Sequence, residues 1–537
     1  MRIPSSAILL VLTIGNGSLL AADRPVTLDA GLGQLTHPIS TKSEQAQAFF
    51  DQGLRYLYAF NHEESVRSFT KAAELDPSLA MAHWGMALAL GPNINIDVDP
   101  EHEKQSYDAI QKAIALRDHA SAEERDLIDA LAKRYSNDPK ADLKKLAADY
   151  HDAMKSLAKK YPDDLDLVVL YAESTMDLNP WKFWDAQGKP APGTEEIVST
   201  LESVLRRDPN HIGANHYYIH AVEASSNPER GLISAQRLKT LAPQAGHLVH
   251  MPAHIYARTG DFEEAAAANR QGIKADEEYV KKAGSENLYS LVYYTHNYQF
   301  LSAAAAMEGR FAEAKMAADQ VALNIGPMVS HMAMIEGMSL LPEYVLLRFH
   351  KYREVLLLPA PAEGLQAKAG WRFARAMAFA GTGKVSEAKQ ERQKMNEVVQ
   401  KIPADAPFLL NTARDIFALS DVVLGARIAE AEKKPDAIDQ WRHAVELQDK
   451  TSYDEPSDWF YPIRESLGAA LLRAGRTEDA EAVFREDLNR NPRNGRSLFG
   501  LMTALERQDK SSGVSQVKRE LGEAWKNADT TLKLDDL

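Results

Sequence analysis

The chain of 537 residues contains no cysteine. That absence excludes disulfides, thiolate zinc sites, cysteine-ligated iron-sulfur clusters, thioether-linked c-type haem and a lipid-modified N-terminal cysteine. Any metal chemistry is left to His, Asp and Glu. A glycine-rich phosphate loop, a Gly-x-Ser-x-Gly elbow and a His-Glu-x-x-His motif are also missing, so neither a nucleophile nor a metalloprotease helix is written into the sequence, and hydrolysis of peptides is poorly supported. Beyond the first residues no stretch approaches the roughly 18 uninterrupted apolar residues that a membrane-spanning helix needs. Positive charge is in deficit: 62 Lys and Arg stand against 76 Asp and Glu, a formal net charge of -14. With no dense basic stripe, nucleic acid is excluded as an expected partner.

What is present is an ordinary globular composition, 45% hydrophobic and 26% charged. Met1 to Ala22 reads as an export signal, with Arg2 near the start, an apolar stretch from Ala7 to Ile14, and Leu20-Ala21-Ala22 before the polar Asp23. The expected location is periplasmic or secreted, with no membrane span once the signal is removed. Residues 23–42 carry Pro25, Gly31, Gly33 and Pro38 without helical periodicity and read as an extended lead-in. Helical patterning begins near Lys42.

From Ala46 to Leu79, Phe49, Gly53 and Tyr56 fall on one helix and Phe69 and Ala72 on a second, and Pro77 closes the unit because it offers no amide donor. The turn between paired helices recurs as Thr259-Gly260-Asp261-Phe262-Glu263-Glu264-Ala265, Glu308-Gly309-Arg310-Phe311-Ala312-Glu313-Ala314 and Ala474-Gly475-Arg476-Thr477-Glu478-Asp479-Ala480, with weaker copies at Gly383 and Lys434. Proline closes two successive units at Pro209 and Pro243, and Tyr461 to Asn494 is the last clear unit.

These features resemble the tetratricopeptide repeat, whose period of about 34 residues is the interval from Pro209 to Pro243. The resemblance implies an all-α fold, a right-handed superhelical solenoid of helix-turn-helix repeats over residues 43–510, with a C-terminal helix and tail at 511–537. It also implies a concave groove lined by the first helix of each repeat, where a small molecule, a peptide or a partner protein is held. Asn93 to Pro100, Asn179 to Gly193, Leu358 to Glu363 and Ser452 to Pro462 break the rhythm and read as inserted loops, the kind that often sit on a binding face. The acidic and aromatic run Asp454 to Pro462 reads either as a loop closing over the groove or as a solvated linker, the linker being favoured. Ser121 and Glu124 form a capping box opening a helix at 122–135.

The feature that asks for chemistry is a histidine pair written twice, His216-Tyr-Tyr-Ile-His220 and His250-Met-Pro-Ala-His254, the second copy following the first by one such period. Residues four apart share a helix face, so both pairs should occupy equivalent places in neighbouring repeats, with Glu223 one turn after His220. His247 and His296 join them, His296 standing as far before Gly309 as His247 stands before Gly260. Neutral imidazole suits copper, iron or zinc, and Glu223 could serve as a ligand or as a base acting on metal-bound water. Pro252 is the complication, since a proline inside a helix kinks it unless it lies in the first turn. The tyrosines 217, 218, 256, 293, 294 and 298 accompany the histidines.

Two readings stay open. In one, the exported repeat protein carries a histidine-rich transition-metal site, and whether it is an enzyme or a carrier is undecided. In the other it is a scaffold binding peptides or partner proteins, with no metal and no catalysis. Buried, converging histidines favour the metal. Pairs that diverge by more than about 10 Å, beyond the reach of one ion, favour the scaffold.

Overall fold

The structure, a computed structural model, describes residues 24–329 and 333–537; the expected export signal lies outside them. Residues 24–42 hold no helix. The chain then runs through α1 (Glu44–Tyr58), α2 (His62–Leu75), α3 (Ala80–Leu90), α4 (Pro100–Ala115), α5 (Ala122–Leu131), α6 (Leu143–Lys160), α7 (Leu165–Met176), α8 (Thr194–Arg207), α9 (Ile212–Glu223), α10 (Leu232–Leu241), α11 (Gly246–His250), α12 (Pro252–Thr259) and α13 (Phe262–Ala283). After a π-helical turn at Ser290–Tyr294 come α14 (Thr295–Met307), α15 (Phe311–Ile325), α16 (Ala333–Glu336), α17 (Leu341–Arg348), α18 (Tyr352–Leu357), α19 (Leu365–Gly381), α20 (Val385–Val399), α21 (Ala413–Ala431), α22 (Ala437–Gln448), α23 (Arg464–Arg473), α24 (Thr477–Arg490), α25 (Gly495–Glu506) and α26 (Ser511–Ala524). The named strands of the described residues are two short ones, β1 (Pro407–Phe408) and β2 (Asn411–Thr412), paired antiparallel ahead of α21. The fold is all-α, built from helix-turn-helix repeats as the sequence leads one to expect. No helix among the described residues is long and apolar enough to cross a membrane.

Contacts divide the chain into two compact units, one running through Ile255 and resuming over Gln271–Tyr294, the other comprising Tyr256–Arg270 and Thr295–Leu537. The same packing device recurs in each. In the first unit, a Cβ on Gly53 or Gly85 would stand 2.6 Å from the ring of Phe69. In the second, Gly468 and Gly500 approach Phe484 as closely, at 2.4 and 2.2 Å. Glycine on the first helix of two successive repeats thus admits one buried phenylalanine between them, and any side chain there would meet a ring that has nowhere to go.

Local signals act as the sequence suggests. Ser121 accepts from the Glu124 amide while the Glu124 carboxylate accepts from the Ser121 amide at 2.6 Å, closing the capping box of α5. The Asp454 to Pro462 run departs from expectation. Trp459 is 2% exposed and Asp458 is buried. Trp459 meets Phe373 at 5.8 Å and Phe460 stacks on Tyr344 at 4.5 Å. The aromatic rings carry the segment into the core of the second unit, because burying that much apolar area outweighs the cost of burying Asp458, which accepts a 2.6 Å hydrogen bond from Asn411. The segment is not a solvated linker.

Candidate metal centre

All twelve residues of α9 are buried. A helix enclosed on every side is normally apolar, yet α9 carries Asn215, His216, His220 and Glu223, and each of these must be satisfied or used. Asn215 donates to the carbonyls of Pro209 and His211 and so closes the start of its own helix. The other three face the histidines of α11 and α12.

His216 Nδ1 lies 2.7 Å from the carbonyl oxygen of Tyr58. His220 Nδ1 lies 2.8 Å from Glu223 Oε1, and His254 Nδ1 lies 2.6 Å from Glu223 Oε2. Carbonyls and carboxylates only accept, so each Nδ1 carries the proton and each Nε2 is left with its lone pair. Those Nε2 atoms turn to one another or to the shared interior. His216 Nε2 is 3.1 Å from His247 Nε2, and His254 Nε2 is 2.9 Å from His250 Nε2. His220 Nε2 is buried and has no hydrogen-bond partner among the described residues. The five imidazoles are between 0 and 2% exposed, and Glu223 is 1% exposed.

The pairing is not the one that repeat symmetry implies. Of the two residue pairs related by one repeat period, His220 and His254 do meet, their rings 5.6 Å apart and joined through Glu223. His216 instead meets His247. Pro252 interrupts the hydrogen-bond ladder between α11 and α12, but Met251 keeps helical φ -49° and ψ -35° and its amide reaches back to the His247 carbonyl at 3.0 Å. His247, His250 and His254 therefore keep helical spacing on one face, and His247, one turn before His250, is the one that meets His216. These ring separations are far inside the divergence that would have favoured the scaffold. His216, His220 and His247 offer ligand nitrogens all within 4.8 Å of one another. His296 belongs to the second unit, on α14, half-buried, with Nδ1 3.4 Å from Gln299 Oε1 and its ring edge-on to Phe300.

Burial holds His216 well below the usual imidazole range, and neighbouring His220 lowers it further. Burial also lowers His220, against the pull of Glu223. Burial alone would raise Glu223, but His254 and His220 beside it more than offset that and hold its carboxyl well below the usual range. The centre therefore presents His216 and His220 as neutral imidazoles beside an ionised Glu223, a donor set suited to a borderline transition metal and ill-suited to calcium or magnesium. Two nitrogens bound at about 2.0–2.1 Å to a tetrahedral ion stand roughly 3.3 Å apart, close to the two nitrogen separations seen here.

Several neighbours of the histidines are not apparent from the sequence pattern. Phe60 occupies the turn between α1 and α2, aligned with Gly260 of the Thr259 to Ala265 turn, and has φ 55°. A left-handed conformation costs a residue with a Cβ about 1–2 kcal/mol. Its ring is the return, lying 4.6 Å from His216, 5.3 Å from His247 and 6.1 Å from His220. Trp181, in the inserted loop before α8, is left-handed too, with φ 61°, and stands edge-on to His220 at 5.3 Å. Tyr289 accepts from the His247 amide at 3.0 Å and donates to Asp276 at 2.8 Å. Tyr293, presented by the π-helical turn, lies 4.8 Å from His247 and accepts from Asn95 at 3.2 Å. A readable signal exists for Phe60: a phenylalanine where the other turns place glycine. Of the tyrosines named from sequence, Tyr217 and Tyr293 reach the histidines. His83 is half-buried beside the buried Trp84 on α3.

Comparison with protein families finds no match, and comparison with curated proteins finds none either. Among solved structures the chain is similar to Ypp1, at 8% identity and TM-score 0.45, covering 93% of this chain and 78% of that one. It is also similar to a human IFIT1 dimer with PPP-AAAA, at 12% identity and TM-score 0.33, covering 90% and 92%, and to yeast Tom70, at 10% identity and TM-score 0.30, covering 88% and 90%. Likeness at such identity concerns the fold alone. The class of protein is an all-α one of helix-turn-helix repeats, read from the paired helices, the left-handed turns and the glycine-on-phenylalanine packing of the chain itself.

Proposed function

We propose that this is an exported helical-repeat protein that binds a transition metal, copper, iron or zinc, in the histidine core of its first unit. The donor set is His216, His220 and His247, with His250 and His254 in the same enclosure. One observation carries the reading: two of these donors, His216 and His220, give the Nδ1 proton to a built acceptor, the Tyr58 carbonyl or Glu223, as His254 does to the other Glu223 oxygen, and so turn Nε2 into a closed core. Outer hydrogen bonds of this kind fix ligand tautomer and ring orientation in metal sites. Glu223, with both oxygens engaged by imidazole, is assigned the orienting role in preference to that of a base.

A peptide lying in an open groove would have no access to residues 0 to 2% exposed. A binding role for the repeats therefore rests on other surfaces and is compatible with the metal. Elemental analysis of protein purified without a His tag, beside a His220→Ala/His254→Ala variant, tests the proposal. The expected result, after dialysis has removed exchangeable ions, is about one retained metal per chain, lost in the variant. No metal after supply of iron, copper and zinc, or equal metal in both proteins, overturns it.

A further inference from the structure

A second constellation lies in the first unit, away from the histidine core, in a cleft of about 780 Å³ between the lead-in, the start of α5 and the start of α7. His37 of the lead-in donates from Nδ1 to Asp166 Oδ2 at 3.2 Å and stands 3.7 Å from Asp164 Oδ1, and a bound cation would take the place of the proton held between them. The side chains of His37, Asp164 and Asp166 are 12 to 14% exposed, so they open to the cleft without being bathed in it. Their ligand atoms lie within 4.8 Å of one another. The geometry points to a divalent-cation site formed by His37, Asp164 and Asp166, with its remaining coordination positions open to the cleft.

Three observations support this assignment. The separations are those of neighbouring ligands around one ion bound at about 2.0–2.2 Å. The Asp166 carboxylate is held as ligating carboxylates are held: Oδ1 accepts from the Tyr58 hydroxyl at 2.8 Å and faces His211 Nε2 at 3.3 Å, leaving Oδ2 to His37. His211 is fixed in turn, its Nδ1 accepting from the Ala214 amide at 3.2 Å as the N-cap of α9. The surrounding charge also favours a cation, since Glu123, Asp163 and Asp208 line the same cleft with Lys160, and Lys160 is already paired with Asp126 at 2.5 Å.

One imidazole and two carboxylates form a harder donor set than the histidine core, suited to manganese or zinc with water or a ligand oxygen completing the sphere. The two sites differ in kind: the core is sealed, whereas the cleft exchanges with solvent. The test uses the full chain in the His220→Ala/His254→Ala background, titrated with Mn²⁺ and with Zn²⁺ by equilibrium dialysis, with Mn²⁺ paramagnetic resonance as an independent readout. One exchangeable ion per chain is expected, and His37→Ala or Asp164→Asn should weaken it tenfold or more. Asp164 caps α7 by accepting from Leu167 at 3.1 Å. Asn caps as well as Asp, so the Asp164→Asn variant keeps the fold while changing the donor. No binding at millimolar metal, or binding that neither substitution changes, overturns the assignment. Failure of the histidine core alone has a different signature: wild type then binds one ion that survives His220→Ala/His254→Ala and is lost with His37→Ala.

Discussion

A dense polar centre in each unit invites comparison, and the two are built on opposite plans. In the second unit, Arg348 donates to both oxygens of Glu465, Asn494 donates to Glu465 and to Asp487 at 2.8 Å each, and Ser497 donates to Asp487 at 2.6 Å. Arg496 donates to the Arg348 carbonyl at 2.8 Å. Each carboxylate there is matched by an amide, a hydroxyl or a guanidinium, so its charge is answered within the protein. In the first unit nitrogen meets nitrogen: His216 and His254 turn Nε2 to His247 Nε2 and His250 Nε2, and His220 Nε2 has no hydrogen-bond partner among the described residues. A buried lone pair without a donor is expensive unless something positive sits beside it. Paired charges specify the fold; an unused imidazole nitrogen among others is what a metal site offers.

The largest effect that would sharpen this contrast is Glu465→Ala. It strands a buried guanidinium, and removing one partner of a buried pair costs about 3–5 kcal/mol. Urea unfolding should show that loss equally with and without added metal. Glu223→Gln comes next. The amide places an N–H against one imidazole N–H, forcing that ring to move its proton to Nε2 and surrender its lone pair. Metal affinity should fall about 10–100-fold, the usual cost of losing an outer-shell partner, as read by competition with a chromophoric chelator, while the metal-free protein keeps most of its stability. If Glu223→Gln destabilises the metal-free chain as much as Glu465→Ala does, the two centres are alike and both are structural.

Much of this architecture is legible in the amino-acid sequence alone. The repeat grammar around Gly53, Phe69 and Pro77 announces paired helices because those residues act through local sterics and backbone chemistry. The histidines are legible because their spacing is locked to the repeat. Their partnership is not: His216 meets His247, one turn before the His250 that the repeat period would assign to it. Tyr58 is invisible as a partner because it acts through its backbone carbonyl, which every residue possesses. The outer acceptors of His216 and the burial of Trp459 depend on which elements pack together over long sequence separations, and no periodicity encodes that.

A pH titration separates the centres more gently, by the sign of its effect on metal-free protein. Burial lowers His216 and His220 from their ordinary 6.5. Their contribution to stability is therefore full above about pH 6.5 and is lost as the pH falls below it. Asp487 runs the other way. Burial, with the Glu465 carboxylate nearby, raises it from 3.8 to about 6, so its contribution is full below about pH 3.8 and is lost as the pH rises through about 6. Moving from about pH 6.5 to about pH 5, amides of α9 should lose protection and those of α24, which carries Asp487, should gain it, after correction for intrinsic exchange rates. Shifts of the same sign at both would show that global unfolding, not these groups, governs exchange.

The smallest expected effect is also the most discriminating. Tyr58 serves two places with two different groups: its carbonyl holds His216, and its hydroxyl donates to Asp166. Tyr58→Phe removes only the hydroxyl. If the histidine core depends on the carbonyl alone, its metal affinity should change by less than about twofold, within the roughly 0.4 kcal/mol that such a factor represents. Binding at the cleft should weaken measurably, because Asp166 loses a hydrogen bond of the charge-assisted kind. A tenfold loss at the histidine core would mean that Asp166 reaches the imidazoles through the tyrosine ring. The core and the cleft would then be one coupled system instead of two sites that share a residue.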